Sequence, residues 1–271
     1  MQLVTVQFNY DQGPDYKLLF DVFKYSCQKY TPECEFVEYL IDPPKKVPRV
    51  PYNFTYNTVK LKIWLDHIKS TDQDVIFADC DMLAIKDFSH AFDDPDFDIC
   101  YTERTRTTRI PMNGGIVLAR PNERTIDFFK QWEAINRRMH NNDMNGNTEL
   151  HNRYRRKWAG MNQAAFGWMM EHPHKHKARI KTVPTKIWNA VDCDWSSLQN
   201  SPDTVFIHIK SGLRKAVLRH RRAKPEHIYA RKLWNEMCEE AGLNNKIILE
   251  EPKKKKPPTR LTTKRRIIYK V

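Results

Sequence analysis

Long hydrophobic runs are missing from this chain of 271 residues: no apolar stretch approaches the roughly 18 residues that cross a bilayer. A membrane-embedded protein is therefore not expected. The opening Met1-Gln2-Leu3-Val4-Thr5-Val6-Gln7-Phe8 alternates like a strand and lacks a basic n-region. No secretory signal is read there, and a cytoplasmic location is expected (host cytoplasm for a viral chain). In that setting the sequon Asn53-Phe54-Thr55 is taken as chance. Cys-x-x-Cys pairs are also absent. The six cysteines are scattered, so reduced packing residues are expected rather than a disulfide framework. Gly-x-Gly-x-x-Gly and Walker loops are lacking too, which argues against a dinucleotide dehydrogenase or a P-loop enzyme.

Acidic residues are scarce relative to basic ones, 33 against 46, giving a net charge of +13 and a pI near 9.4. That excess implies attraction to nucleic acid or another polyanion. It gathers at Arg104, Arg106 and Arg109, along 153–157, from Arg214 to Lys224, and near the end in Lys253 to Lys256 and Lys264-Arg265-Arg266. A merely solvated basic surface fits these runs equally well.

Along the chain, strand and helix patterns alternate. Strands are expected over 3–8, 35–41, 75–78, 97–101, 115–119, 180–183 and 205–209. Helices are expected over 16–30, 58–68, 123–138 and 162–170, with a last one from Pro225 to about Ala241 stopped by Gly242. Residues 141–157 are polar and read as a long loop. Beyond Asn244 the composition becomes basic and proline-rich, so a catalytic domain over 1–243 and a basic tail over 244–271 are expected. Alternation of this kind predicts an α/β sandwich with a mostly parallel sheet and a ligand site at the carboxyl ends of strands.

One such end carries Val75-Ile76-Phe77-Ala78-Asp79-Cys80-Asp81. On a strand, residues two apart face the same way, so Asp79 and Asp81 are expected together. Two converging carboxylates repel and lose solvation, and a hard divalent cation compensates both effects. An acidic turn after a core strand is the competing reading.

Three further segments join this motif: Asn57-Thr58-Val59-Lys60 opening a helix, Met112-Asn113-Gly114-Gly115-Ile116-Val117-Leu118, and Phe206-Ile207-His208-Ile209-Lys210-Ser211-Gly212-Leu213-Arg214-Lys215. With the first strand ending at Phe8, their order resembles the nucleotide-sugar-dependent glycosyltransferases of GT-A type over roughly residues 3–215. The resemblance implies a Rossmann-like α/β/α sandwich and transfer of a sugar from a nucleoside diphosphate donor, a UDP-sugar first, to a hydroxyl acceptor. It implies Mn²⁺ or Mg²⁺ held by Asp79, Asp81 and His208, with Asp79 also reaching the ribose or sugar. Phe8, Asn57, Lys60, Asn113, Gly114, Gly115 and Gln163 are placed by it at the donor, as are Lys210, Gly212, Arg214 and Lys215. The basic charge points to a polyanionic acceptor, either hydroxyl-bearing modified DNA or a phosphorylated glycan such as lipopolysaccharide core.

Two departures from the family pattern stand out. Asn162 replaces the acid of an Asp-Gln pair, and an amide cannot accept a proton as a carboxylate does. Three residues rather than two separate His208 from Gly212. Asp192, Asp194 and Glu103 become the candidate catalytic carboxylates, with Asn162 left to orient sugar or acceptor. Trp188 and Trp195 are placed on the acceptor side. The competing function is a metal-dependent nuclease or nucleotidyltransferase, in which Asp93, Asp94 or Asp96 would join the pair. A non-catalytic nucleic-acid-binding protein would leave the aspartates without a purpose.

Overall fold

The computed structural model describes residues 1–9, 16–47, 50, 52–104, 111–143, 148–158, 161–218 and 223–243. The expected tail over 244–271, Arg106, Arg109 and the basic residues at 219–222 lie outside the described residues. The elements are β1 (Gln2–Phe8), α1 (Tyr16–Tyr30), β2 (Glu35–Ile41), α2 (Tyr52–Ser70), β3 (Val75–Ala78), β4 (Met82–Ala84), β5 (Ile99–Glu103) and β6 (Met112–Ala119). There follow α3 (Glu123–His140), α4 (Thr148–Lys157), α5 (Met161–Glu171), β7 (Ile180–Pro184), α6 (Thr185–Trp188), β8 (Phe206–His208), α7 (Ser211–Leu218) and α8 (Ile228–Glu240).

Six strands form the central sheet in the order β2-β1-β3-β6-β5-β7. Three pairings are parallel, β1 with β2, β1 with β3, and β5 with β7. β6 runs against both of its neighbours. The side-chain period of two divides each inner strand between two cores. Val4, Val6, Val75 and Phe77 pack with Trp64 of α2, Trp132 of α3 and Phe166 of α5. Leu3, Ile76, Ala78 and Leu118 face the other way, towards Phe23 of α1 and Phe206 of β8. A third cluster joins α1 to α7 and α8 through Leu19, Val22, Leu213 and Trp234. Helices thus cover both faces, as the alternation predicts.

The stretch read as one strand through the aspartates is broken. β3 ends at Ala78, a turn carries residues 79–81, and β4 leaves the main sheet to pair antiparallel with β8. Residues 148–157, expected as loop, form α4. His151, Tyr154 and Trp158 are buried at helical spacing, and this apolar stripe outweighs the polar residues between them. The short helix α7 also went unread, because its basic residues mask buried Leu213, Ala216 and Val217.

At the sheet end remote from the aspartates, fully buried Asp98 fastens three elements. Arg124 donates to it at 2.7 and 2.8 Å, Asn122 at 3.1 Å, and the Arg179 backbone N–H at 2.8 Å. Burial alone would raise this carboxyl. The bonds from Arg124 and Arg179 overcome it and hold the group well below its ordinary range. A depressed folded value contributes stability that is present above the unfolded value and lost as pH falls through the folded one. Asp98→Asn is expected to lower the melting temperature most at neutral pH. In a melting series the gap to wild type should shrink below about pH 4, where the unfolded carboxyl binds its proton.

Candidate functional site

The reversed direction of β6 explains where the site forms. Ala78 pairs with Ile116, so the start of β6 lies beside the end of β3, and the Asp79 N–H donates to Gly115 O at 2.9 Å. Next to it, Met82 pairs with His208, and the Ile209 N–H donates to Asp81 O at 2.7 Å. Two sheets with unrelated sequence positions thereby bring one ligand atom each from Asp79, Asp81 and His208 within 4.8 Å of one another.

A directed chain of hydrogen bonds orients the imidazole. The Gly115 N–H can only donate, and it donates to Asn113 Oδ1 at 3.0 Å. That oxygen also accepts from Asn189 Nδ2 at 3.0 Å, and a second Nδ2 bond goes to Thr102 Oγ1 at 2.8 Å. The Asn189 oxygen therefore faces His208 and accepts from its Nδ1–H at 3.0 Å. The other nitrogen, Nε2, is left to face Asp81 Oδ1 at 3.3 Å and Asp79 Oδ2 at 3.6 Å. Two carboxylates converging on one imidazole nitrogen call for a positive charge between them, and a metal ion on the Nε2 lone pair supplies it. Two oxygen donors and one imidazole nitrogen suit a divalent metal, and the residues present fit one.

Each carboxylate also has its own cation. Lys60 Nζ meets Asp79 Oδ1 at 2.5 Å, and Arg214 Nη2 bonds Asp81 Oδ2. Burial would raise the Asp81 carboxyl, but His208 and Arg214 together hold it well below its ordinary range. Arg214 is fixed in turn by Tyr16, which accepts from Nη1 at 2.6 Å and lies under the guanidinium.

These groups floor a cleft of about 490 Å³. One wall is a stripe of α2: Asn53, Tyr56, Asn57 and Lys60, spaced i, i+3, i+4, i+7, so a single helix face presents them. Phe8 and Tyr16 form the aromatic end, where Phe8 meets Tyr56 edge-on at 4.5 Å. Lys210 lines the side next to His208. Asn53, Tyr16 and Tyr56 were not singled out from the sequence; the helical spacing from Lys60 back to Asn53 was the signal that could have found them.

Other expected residues stand differently. Lys215 is solvent-exposed and outside the lining of the cleft, because successive helix positions diverge by about 100° and Arg214 takes the inward one. The extra residue between His208 and Gly212 sets that helix register. A Cβ on Gly212 would come within 2.8 Å of His227, so this glycine serves packing rather than ligand approach. On Gly115 a Cβ would lie 2.6 Å from His208 Nδ1 and 2.8 Å from Asn189 Oδ1, so its bareness makes room for the orienting pair. Gly114 would meet only ordinary contacts with Asn162 and Gln163, whose side chains lie against the start of β6. Gln163 Nε2 donates to Met112 O at 2.7 Å, and Asn162 Oδ1 accepts the Gln163 N–H at 3.0 Å.

The candidate carboxylates do not converge. Asp194 is buried and accepts from Thr185 Oγ1 and the Val191 N–H, which makes it a turn-fixing group. Glu103 ends β5 opposite Met112, away from the cleft lining. Asp192 is half-exposed and meets Arg104 and Lys210. Trp188 and Trp195 are buried in cores, not presented to an acceptor. Asp94 pairs with Lys181 and Asp96 with Arg179, which puts both near Asp98 at the sheet end remote from Asp79 and Asp81.

Asn189→Ala removes the acceptor that fixes His208 and is expected to weaken Mn²⁺ binding about 10- to 100-fold. Asn189→Asp keeps an oxygen for the Nδ1–H and should lose less. Mn²⁺ titration followed by electron paramagnetic resonance, below the melting temperature of each variant, checks the order wild type, Asp, Ala.

A family model described as nucleotide-diphospho-sugar transferase matches residues 21–214. No curated protein sequence matches the chain. Among solved structures, a glycosyltransferase involved in the glycosylation of the major capsid of PBCV-1 is similar with a TM-score of 0.53 at 12% identity, over 78% of this chain and 95% of that one. The galactosyltransferase LgtC, solved with donor and acceptor sugar analogs, is similar with a TM-score of 0.53 at 12% identity, over 89% of this chain and 95% of that one. At such identities the likeness is one of fold, here the GT-A fold that the order of the sequence motifs implied. With the family match spanning most of the chain, including both aspartates and His208, the chain belongs to the nucleotide-diphospho-sugar transferase family and is a glycosyltransferase.

Proposed function

We propose that the enzyme transfers a sugar from a UDP-sugar to a hydroxyl on a phosphate-bearing acceptor, in a reaction dependent on a divalent cation, Mn²⁺ before Mg²⁺. The observation that carries this reading is the fixed direction of His208 Nε2 towards Asp79 and Asp81. A mixed imidazole and carboxylate set favours Mn²⁺ over the oxygen-preferring Mg²⁺. When bound, the cation neutralises charge on the leaving diphosphate as a Lewis acid.

The protein's own charges support a diphosphate ligand. Lys60 and Arg214 already balance Asp79 and Asp81, so the floor is close to neutral. A divalent cation and a diphosphate entering together preserve that balance, whereas either one alone upsets it. As charge builds on the leaving group, Arg214 supplies a fixed donor that needs no reorganisation. The aromatic end with Phe8, Tyr16 and Tyr56 suits a nucleobase, and the amides of Asn53 and Asn57 suit its polar edge or the ribose. The nuclease alternative is not favoured, since Asp94 and Asp96 lie at the sheet end remote from Asp79 and Asp81.

The test is thermal stability with UDP, GDP and dTDP, each with and without Mn²⁺, followed by hydrolysis of the matching sugar nucleotides. A metal-dependent rise with UDP is expected, and a ligand at about 100 times its Kd adds roughly 2.7 kcal/mol of stability. Asp81→Asn should abolish the metal-dependent part of the rise, because an amide is a poorer ligand for a hard cation. Full metal-dependent binding and turnover by Asp81→Asn would overturn the metal assignment.

A further inference from the structure

Beside the His208 wall of the cleft, three charged side chains from separate segments meet. Arg104 directly follows β5, Asp192 lies in the loop after α6, and Lys210 follows β8. Arg104 Nη2 reaches Asp192 Oδ1 at 3.3 Å, and Lys210 Nζ reaches the same oxygen at 3.6 Å. The two cations are mostly covered, with side chains 13% and 17% exposed, whereas the carboxylate is 53% exposed.

The charges do not balance. Two desolvated cations share one oxygen of one carboxylate, and the neighbouring acid, Asp81, is held by Arg214 and His208. Arg104 Nε is buried and has no hydrogen-bond partner among the described residues. A structural ion pair would bury its anion at least as deeply as its cations. Here the anion is the exposed member and sits on a loop, the arrangement expected of a group that can be displaced.

We propose that Arg104 and Lys210 form a subsite for a phosphate monoester on a sugar acceptor, with Asp192 occupying the place of that phosphate until it binds. This rests on the reading of the adjoining cleft as the donor site. A phosphate monoester brings close to two negative charges and several acceptor oxygens, and it matches the fork of an arginine. Lys210 lines the donor cleft, but Arg104 and Asp192 do not. The pair therefore adjoins the cleft at Lys210, the residue the two share. Two covered cations converging on one point match one terminal phosphate. A run of nucleic-acid diesters calls for a row of exposed cations instead.

The test uses the full chain saturated with UDP and Mn²⁺, with glucose 6-phosphate, glucose and a short DNA duplex as probes in calorimetric titrations. Glucose 6-phosphate is expected to bind at least about tenfold more tightly than glucose, the size of one or two charge-assisted hydrogen bonds. Arg104→Gln should remove that difference and leave UDP affinity unaltered. Asp192→Asn should tighten glucose 6-phosphate several-fold, which a purely structural ion pair would not do. Equal binding of the two sugars, or weaker glucose 6-phosphate binding by Asp192→Asn, overturns the proposal. So does competition between UDP and glucose 6-phosphate, which would make the pair part of the donor's diphosphate site. DNA binding that depends on Arg104, with no preference for the phosphosugar, overturns it in favour of a polynucleotide. Failure of UDP itself to bind is read in the parallel titration and counts against the donor reading, separately from the phosphate result.

Discussion

The site depends on the direction of one hydrogen bond, from His208 Nδ1 to Asn189. An imidazole has two nitrogens of opposite character in its neutral form, and only the one without a proton can face a cation. Here the choice is made several bonds away by a backbone amide, Gly115 N–H, which has no freedom to accept. Each link transmits polarity through an amide side chain that can be inserted in only one orientation. The same Gly115 lacks the Cβ that would displace both His208 and Asn189. Steric room and electronic direction thus come from the two ends of one residue.

Topology supplies the rest. If β6 ran parallel to β3, its Asn113-Gly114-Gly115 segment would emerge at the opposite edge of the sheet, a strand length from Asp79. The single reversed strand brings it back to the carboxyl ends of its neighbours. The secondary sheet of β4 and β8 then completes the metal set from a part of the chain that the main sheet never contacts by strand pairing. Lys60 pairs with Asp79, and His208 and Arg214 hold the buried Asp81 carboxyl well below its ordinary range.

Much of the framework was legible because its signals are local. Alternation in β1 and β2, the apolar run of β3 and helical spacing in α1 and α3 depend on neighbours a few positions away, and those elements lie where the pattern puts them. The aspartates and His208 were legible through their order in the chain. Asn189 was not, since nothing near it in sequence indicates that its carbonyl faces a histidine 19 positions later. α4 was obscured by a polar composition that hides three well-spaced buried side chains. Asp194 was hard to place for a related reason: an aspartate that fixes a turn looks in sequence like one serving a reaction.

The arginine at the floor of the cleft touches residues 133 and 198 positions away, Asp81 and Tyr16. Closing such long loops is entropically among the last rewards available to a folding chain. No contiguous fragment contains the site: a nascent chain that has passed β4 holds both aspartates but neither the imidazole nor the guanidinium that completes their surroundings. Until β8 and α7 dock, those carboxylates are an ordinary acidic turn. Competence to bind metal is therefore acquired at the end of synthesis and folding, so cation affinity is itself a gauge of whether the whole domain has closed.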